Sequence, residues 1–413
     1  MRAHSDRMQE VEQPQAGVSI HPRSLLTLAA LAAATFIVMT TETLPVGLLA
    51  PMADAFGVGA GQVGTLVTSY AAVVMVGALP LSILVSRFPA IWVMLAVLGA
   101  LVISVTLTAS SADLRVAVAA RLLGGAAHAV FYSCSFALAT SIVPEHRSGR
   151  AVAIVGSGNA LALALGVPAA TALGLWLGWR VPYWVAAGVL VTVMAVLLAT
   201  YRSGLQQTLG PAVTMRSLLT ATASWPLARV GVSIVLVMGA HFTVYTYISP
   251  ILDAVGFGRD AISVVLAAYG LAGVVGLVIA GRLVDARPRM LLRMTVAVTL
   301  LAVTMLFGFR GSIVGAAVAT TVWGLAIGAA PVLWQLIAVR AAPAAASMGP
   351  AVVNSAFNVG IALGALTGGH LLDVIEPTFL TIPSIGVLAI ALTLVLTSRW
   401  LPADPRPRAS ERS

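Results

Sequence analysis

Polar positions are sparse along this chain and gather in short clusters, and between the clusters lie long unbroken apolar stretches. Six stretches begin near Leu25, Gly61, Ala90, Leu114, Ala151 and Val181, and six more near Leu227, Ala261, Met290, Ser312, Ala346 and Phe379. A helix rising about 1.5 Å per residue needs roughly 20 residues to cross about 30 Å of hydrocarbon. The pattern therefore predicts an all-α membrane protein with twelve transmembrane helices. Spans of about 23 residues consume roughly 276 residues, and the rest of the 413 is too little for a soluble domain in any loop. The first stretch runs on to about Met52 and contains Glu42, which reads as an uncleaved span and not as a signal peptide.

Composition sharpens this picture. The chain is 59% hydrophobic and 9% charged, against about 25% charged in soluble domains. All 23 basic residues are arginine. Without lysine there is no P-loop and no Schiff-base cofactor, so ATP-driven pumping by this chain and lysine-linked chemistry are excluded. The single cysteine, Cys134, forms no internal disulfide and reads as a small buried hydrophobe. No cofactor and no metal site are expected, and the chain reads as a monomer in a lipid bilayer.

The charge of +9 does not point to nucleic acid, because the arginines lie between spans. If the amino terminus is cytoplasmic, only Arg115, Arg180, Arg259 and Arg310 fall outside, Arg121 falls within a span, and the remaining eighteen are cytoplasmic. The positive-inside rule then puts both termini in the cytoplasm. The expected organisation is a tail over 1–23, a six-helix bundle over 24–200, a cytoplasmic linker over 201–226, a second bundle over 227–401 and a tail over 402–413.

A shift of 199 residues aligns the two halves without a gap. It matches Pro51 with Pro250, Asp54 with Asp253, Gly57 with Gly256, Tyr70 with Tyr269, Gly125 with Gly324 and Asn159 with Asn358. Six spans is an even number, so the copies share one orientation, which is the parallel-repeat arrangement of transporters.

Several motifs stand at particular places. Between spans eight and nine is Gly281-Arg-Leu-Val-Asp285-Ala-Arg287-Pro-Arg289, whose first-half counterpart keeps Arg87 and Pro89 but has Ser86 in place of the acid. Span four carries Arg121-Leu-Leu-Gly-Gly125-Ala-Ala-His128, and span five carries Gly166-Val-Pro168. Leu177-Gly-Trp179-Arg180, Tyr245-Thr-Tyr-Ile-Ser-Pro250 and Asn354-Ser-Ala-Phe-Asn358 complete the set. With these motifs the chain resembles the major facilitator superfamily over nearly its whole length. It is most similar to the twelve-span drug:proton antiporter branch, whose members export chloramphenicol-type compounds, sugars and purines. The resemblance implies two pseudo-symmetric six-helix bundles, a proton-coupled transporter and no enzyme activity. The first-half loop lacks the acid, and the Gly-Pro motif lacks the double glycine that usually follows.

Ionisable residues deep in spans are costly and usually face a cavity or each other. Here they are Glu42, Arg121, His128 and His241, with His370 near an end. Glu42 lies roughly 12 Å and Arg121 roughly 10 Å from the same side by helix rise, so a charge pair for proton coupling is expected, with arginine as helix–helix glue the alternative. Arg121, His128 and Tyr132 are seven and four apart and share a stripe, with Ser135 behind. Substrate-cavity candidates are His128, Tyr132, His241, Tyr245, Asn354 and Asn358, and His241 takes the slot equivalent to Glu42. His241 also reads as a structural histidine, and the asparagines as bonds to a neighbouring helix. Phe36, Trp323 and Trp334 are further lining candidates. Gly281, Asp285 and Arg289 form an expected cytoplasmic gate, in which glycine permits close helix approach and Asp285 caps the next span or pairs with an arginine. Gly166 and Pro168 form an expected kink, and Gly360, Gly364 and Gly368 a small-residue packing stripe. The function expected is export of a small organic molecule in exchange for protons. Uptake by proton symport is the nearer alternative, and a membrane-embedded enzyme or receptor the more distant one.

Overall fold

The computed structural model describes residues 22–144, 147–200, 225–341 and 349–398, and every regular element among them is helical. In the first half these are α1 (Pro22–Gly47), α2 (Leu49–Phe56), α3 (Ala60–Val85), α4 (Ala90–Ser110), α5 (Leu114–Ser141), α6 (Ser148–Leu161), α7 (Val167–Leu177) and α8 (Val181–Thr200). In the second they are α9 (Trp225–Tyr245), α10 (Ile248–Val255), α11 (Arg259–Leu283), α12 (Pro288–Gly308), α13 (Ile313–Gly328), α14 (Ala330–Ala341), α15 (Gly349–Leu372) and α16 (Thr381–Leu396). Eleven rods among the described residues are long and apolar enough to cross a membrane. The fifth crossing is divided by a π-helical turn at Ala162–Gly166, and counting α6 and α7 as one rod completes the expected twelve. The tails and most of the linker expected from the sequence lie outside the described residues.

Span one is α1 with α2, and span seven is α9 with α10. Their breaks fall at equivalent places, with Leu48 and Tyr247 as the N-caps of α2 and α10. Both short helices end on a left-handed glycine, Gly57 with φ 64° and Gly256 with φ 104°. A glycine adopts that conformation at little cost, which explains why the 199-residue shift pairs these two.

The pairing of helices repeats as well. In the first half span one packs on spans five and six, span three on four and six, and span two on four. In the second half span seven packs on eleven and twelve, span nine on ten and twelve, and span eight on ten. Close contacts obey the same symmetry: a Cβ at Gly125 would lie 2.6 Å from the Tyr70 carbonyl oxygen, and one at Gly324 would strike that of Tyr269. The expected glycine stripe on span eleven sits against span seven, where Gly360 faces Met238 and Gly368 faces Thr243 and Tyr247.

Among the described residues the halves meet mainly at two crossings, α3 with α15 and α11 with the π turn and α7, and more lightly where α10 touches α1 and α2. Calling the Pro22 end of span one near and the Phe56 end far, the polar bonds of this seam lie toward the far end. Ser249 Oγ donates to the Val46 carbonyl at 3.1 Å, and Trp176 Nε1 donates to Asp260 Oδ1 at 3.3 Å. Within the second half the Tyr247 hydroxyl donates to the Ala365 carbonyl at 2.8 Å, and it reaches across the seam only by packing, in a notch where a Cβ on Gly64 of span two, like one on Gly369, would collide with it. Around the outside, valines such as Val76, Val264 and Val314 are more than two-thirds exposed, an apolar belt suited to lipid.

Candidate functional site

The buried polar cluster of the first half begins with a proline. Pro45 lies inside α1 and has no N–H, so the carbonyl four residues earlier, that of Thr41, loses its helical donor. Arg121 of span four supplies one instead: Nη1 donates to Thr41 O at 3.0 Å, Nη2 to Glu42 O at 2.8 Å and Nε to Leu66 O at 3.1 Å. Arg121 is 2% exposed, and its fork of donors ties spans one, two and four at one point. This corrects the expected charge pair. Arg121 holds the main-chain oxygen of Glu42, and the side chain that faces the Glu42 carboxyl group is His128, with Nδ1 3.5 Å from Oε2.

His128 is itself held by Tyr70, whose hydroxyl lies 2.9 Å from Nδ1. The Arg121 guanidinium sits over the Tyr70 ring at 4.1 Å from its centre, a desolvated cation–π contact. Tyr132 continues the stripe, its ring 5.2 Å from that of His128 and its hydroxyl donating to Asn159 Oδ1 at 3.4 Å. Ser135 is buried, and its hydroxyl has no partner among the described residues.

The equivalent region of the second half is aromatic. His241, in the slot of Glu42, stacks on Tyr245 at 5.1 Å, and Tyr245 stacks on Tyr269 at 5.0 Å. Trp323 meets all three rings edge-on, at 5.0 Å, 6.1 Å and 5.7 Å. Gly124 is the residue equivalent to Trp323, so the space that lets span four approach Tyr70 in one half is filled by indole in the other. His241 Nδ1 and Trp323 Nε1 have no partner among the described residues.

Other expected residues fall into place unevenly. Pro168 follows the π turn, as the loss of its N–H would dictate, and Gly166 lets span five close on Phe36 and Thr40 of span one. Asn358 is buried and donates to the Asn354 carbonyl at 3.0 Å, while the Asn354 side chain is exposed. Trp334 is fully buried. Cys134 is buried and donates to the Ala90 carbonyl, in keeping with a packing role. Among the described residues outside its own helix, no atom lies within 4 Å of a Cβ placed on Gly281, so none of them approaches this glycine closely. Asp285 does not cap α12, whose N-cap is Arg287 without a side-chain bond. Its carboxylate takes Arg340 at the near end of span ten, at 2.7 Å, while Arg289 donates to the Ser398 carbonyl at 3.3 Å.

Tyr70 is the residue that sequence reasoning missed. A signal was present, since Tyr70 and Tyr269 are among the matches at the 199-residue shift and both prove to be central rings of their half-sites. Asn159 belongs to the same class.

The sequence model described as Major Facilitator Superfamily matches residues 31–352. Among solved structures, a bacterial homologue of the human lysosomal transporter Spinster, determined in an inward-facing and occupied conformation, superposes with a TM-score of 0.73. It is 15% identical, over 95% of this chain and all of that one. The human organic anion transporter TETRAN superposes with a TM-score of 0.63 at 15% identity, covering 90% of this chain and 98% of that one.

Proposed function

The chain belongs to the major facilitator superfamily, and we propose that this membrane transporter is a drug:proton antiporter that exports a small organic molecule from the cytoplasm. It is a transporter and not an enzyme. The observation that carries the reading is Glu42, a carboxyl group buried in mid-span beside His128 and next to an arginine held by three carbonyls. A group so placed can exchange one proton, and an immobile cation near it discourages a second positive charge from binding at the same time.

In this reading the bundles 24–200 and 227–401 rock against each other across the two crossings of the seam, with both tails and the 201–226 connection in the cytoplasm of a bacterial cell. The far end faces outward and is drawn together by Tyr247, Ser249 and Trp176, which leaves the site to load from the cytoplasm. Cargo lies between the first-half cluster, with Tyr132, and the second-half wall of His241, Tyr245 and Asn358, with Asn354 nearer the cytoplasmic side. The rings of that wall suit a planar apolar cargo. Glu42 releases its proton inward as cargo binds. After the far end opens, a proton from outside returns to Glu42 and cargo leaves. Each charge moved contributes about 2.3 kcal/mol per 100 mV of membrane potential. Gly281, Asp285 and Arg289 act when the near end closes, and the turn at Gly166 and Pro168 gives span five its bend.

Inside-out vesicles with an acidic lumen and a trapped pH dye test this. Cargo drawn from a panel of antibiotics, sugars and nucleosides should make the lumen more alkaline. Acidification of the lumen on adding a compound would instead establish symport.

A further inference from the structure

The Nδ1 atom of His128 has two claimants, the Tyr70 hydroxyl at 2.9 Å and Glu42 Oε2 at 3.5 Å. A neutral imidazole nitrogen either accepts or donates, according to the tautomer. Accepting the Tyr70 O–H requires a bare Nδ1, whereas a carboxylate at Oε2 requires Nδ1–H. The two arrangements therefore give Nδ1 opposite roles: the Tyr70 hydroxyl donates to a bare Nδ1 when Glu42 carries the proton, and can only accept when Nδ1–H faces a carboxylate.

We propose that His128 relays the proton of Glu42 by exchanging tautomers, with Tyr70 as the positioning residue that holds the waiting tautomer. The proposal rests on the reading of Glu42 as the proton carrier. In the step, the carboxyl O–H breaks and its proton forms Nδ1–H, while the Nε2–H bond breaks and that proton passes to water. The ring is neutral before and after, and one proton has left the carboxyl group. The new Nδ1–H then donates to the carboxylate. Tyr70 loses its acceptor and must turn its hydroxyl, and its ring carries the Arg121 guanidinium that clamps spans one and two. Proton loss at Glu42 is thereby felt by the clamp without any bond between Arg121 and the carboxylate.

The surroundings of the ring are otherwise short of charge. Span one presents Glu42, span two Tyr70, and span four itself Arg121 and Tyr132. Span three has no ionisable residue within Ala90–Ser110, and span five offers Asn159, with Arg150 far off at its near end.

Nitrogen-15 NMR of the histidine-labelled full chain tests the relay, with His128→Gln supplying the assignment. As pH rises and Glu42 loses its proton, Nδ1 should gain a proton while Nε2 loses one, an inversion that a free histidine never shows. Glu42→Gln should keep Nδ1 bare at every pH. Tyr70→Phe, which leaves the ring beneath Arg121, should move the tautomer balance toward Nδ1–H by roughly tenfold, the effect of one hydrogen bond. An Nδ1 that stays bare across the wild-type titration overturns the relay, and so does a ring that becomes doubly protonated as pH falls. The readout needs no transport. Tautomer exchange without cargo-driven proton release in vesicles would support the relay and remove antiport; proton release without exchange would remove the relay alone.

Discussion

Arg121 occupies the carbonyl oxygen of Thr41 that Pro45 leaves without a helical partner. Stability therefore depends on a pairing between a helix break in one span and a guanidinium on another. Arg121→Gln strands buried carbonyls and should cost about 3 kcal/mol. Pro45→Ala restores an N–H that can reach the Thr41 carbonyl, and should recover part of that loss. A double-mutant cycle on thermal unfolding in detergent measures it. A coupling of Arg121 to Glu42→Gln as large as its coupling to Pro45→Ala would restore the ionic pairing that the geometry replaces.

Glu42→Gln should fold, bind cargo and exchange labelled cargo across the membrane, yet fail to accumulate it against a gradient, because the exchangeable proton is gone. Counterflow and gradient-driven uptake, measured in the same vesicles, separate these outcomes. Wild-type accumulation in the variant would take Glu42 out of the mechanism.

The far-end closure rests on Tyr247 in its glycine notch. Gly64→Ala places a methyl group where the Tyr247 hydroxyl sits, and should shift the resting population toward an opening at the far end. The readout is alkylation of Thr43→Cys, a position on span one that is 4% exposed, in a Cys134→Ser background. Its rate should rise several-fold with Gly64→Ala. An unchanged rate in a folded variant would mean that the notch does not hold the closure.

Asp285 is 82% exposed at its side chain, and its partner Arg340 31%. An exposed pair of this kind is worth about 0–1 kcal/mol, so Asp285→Asn should barely move the melting temperature. Transport should fall much further than stability if the loop acts in closing the near end. The charge-swapped pair, Asp285→Arg with Arg340→Asp, should recover activity. Equal small losses in both quantities would reduce the motif to a surface contact.

The fold was legible because its causes are local and repeated. Apolar length gave the spans, and glycines such as Gly57 and Gly256 marked equivalent turns that only the duplication could align. The polar cluster was legible in part. Glu42, Arg121 and His128 stand out because ionised groups are rare in spans, but their partners did not follow from depth. Arg121 turned to carbonyls because Pro45, a residue that looked ordinary in the sequence, had freed one of them. Tyr70 escaped notice because a tyrosine in an apolar span resembles packing until the groups at its two ends are known. The contacts of Gly281 and Asp285 could not be read for another reason: what a glycine admits, and which arginine an acid meets, depend on spans distant in the sequence.

Among the described residues each half contains the same five helix pairings, and the halves are tied mainly by two crossings, with lighter contacts of α10 on α1 and α2. No helix borrows its main packing partner from the other copy except at those crossings. The covalent link between Thr200 and Trp225 then serves chiefly as a tether that keeps the local concentration of one half high around the other. A gene divided there and expressed as two polypeptides should still yield a working assembly, at the cost of a dependence on the abundance of both fragments that the intact chain escapes.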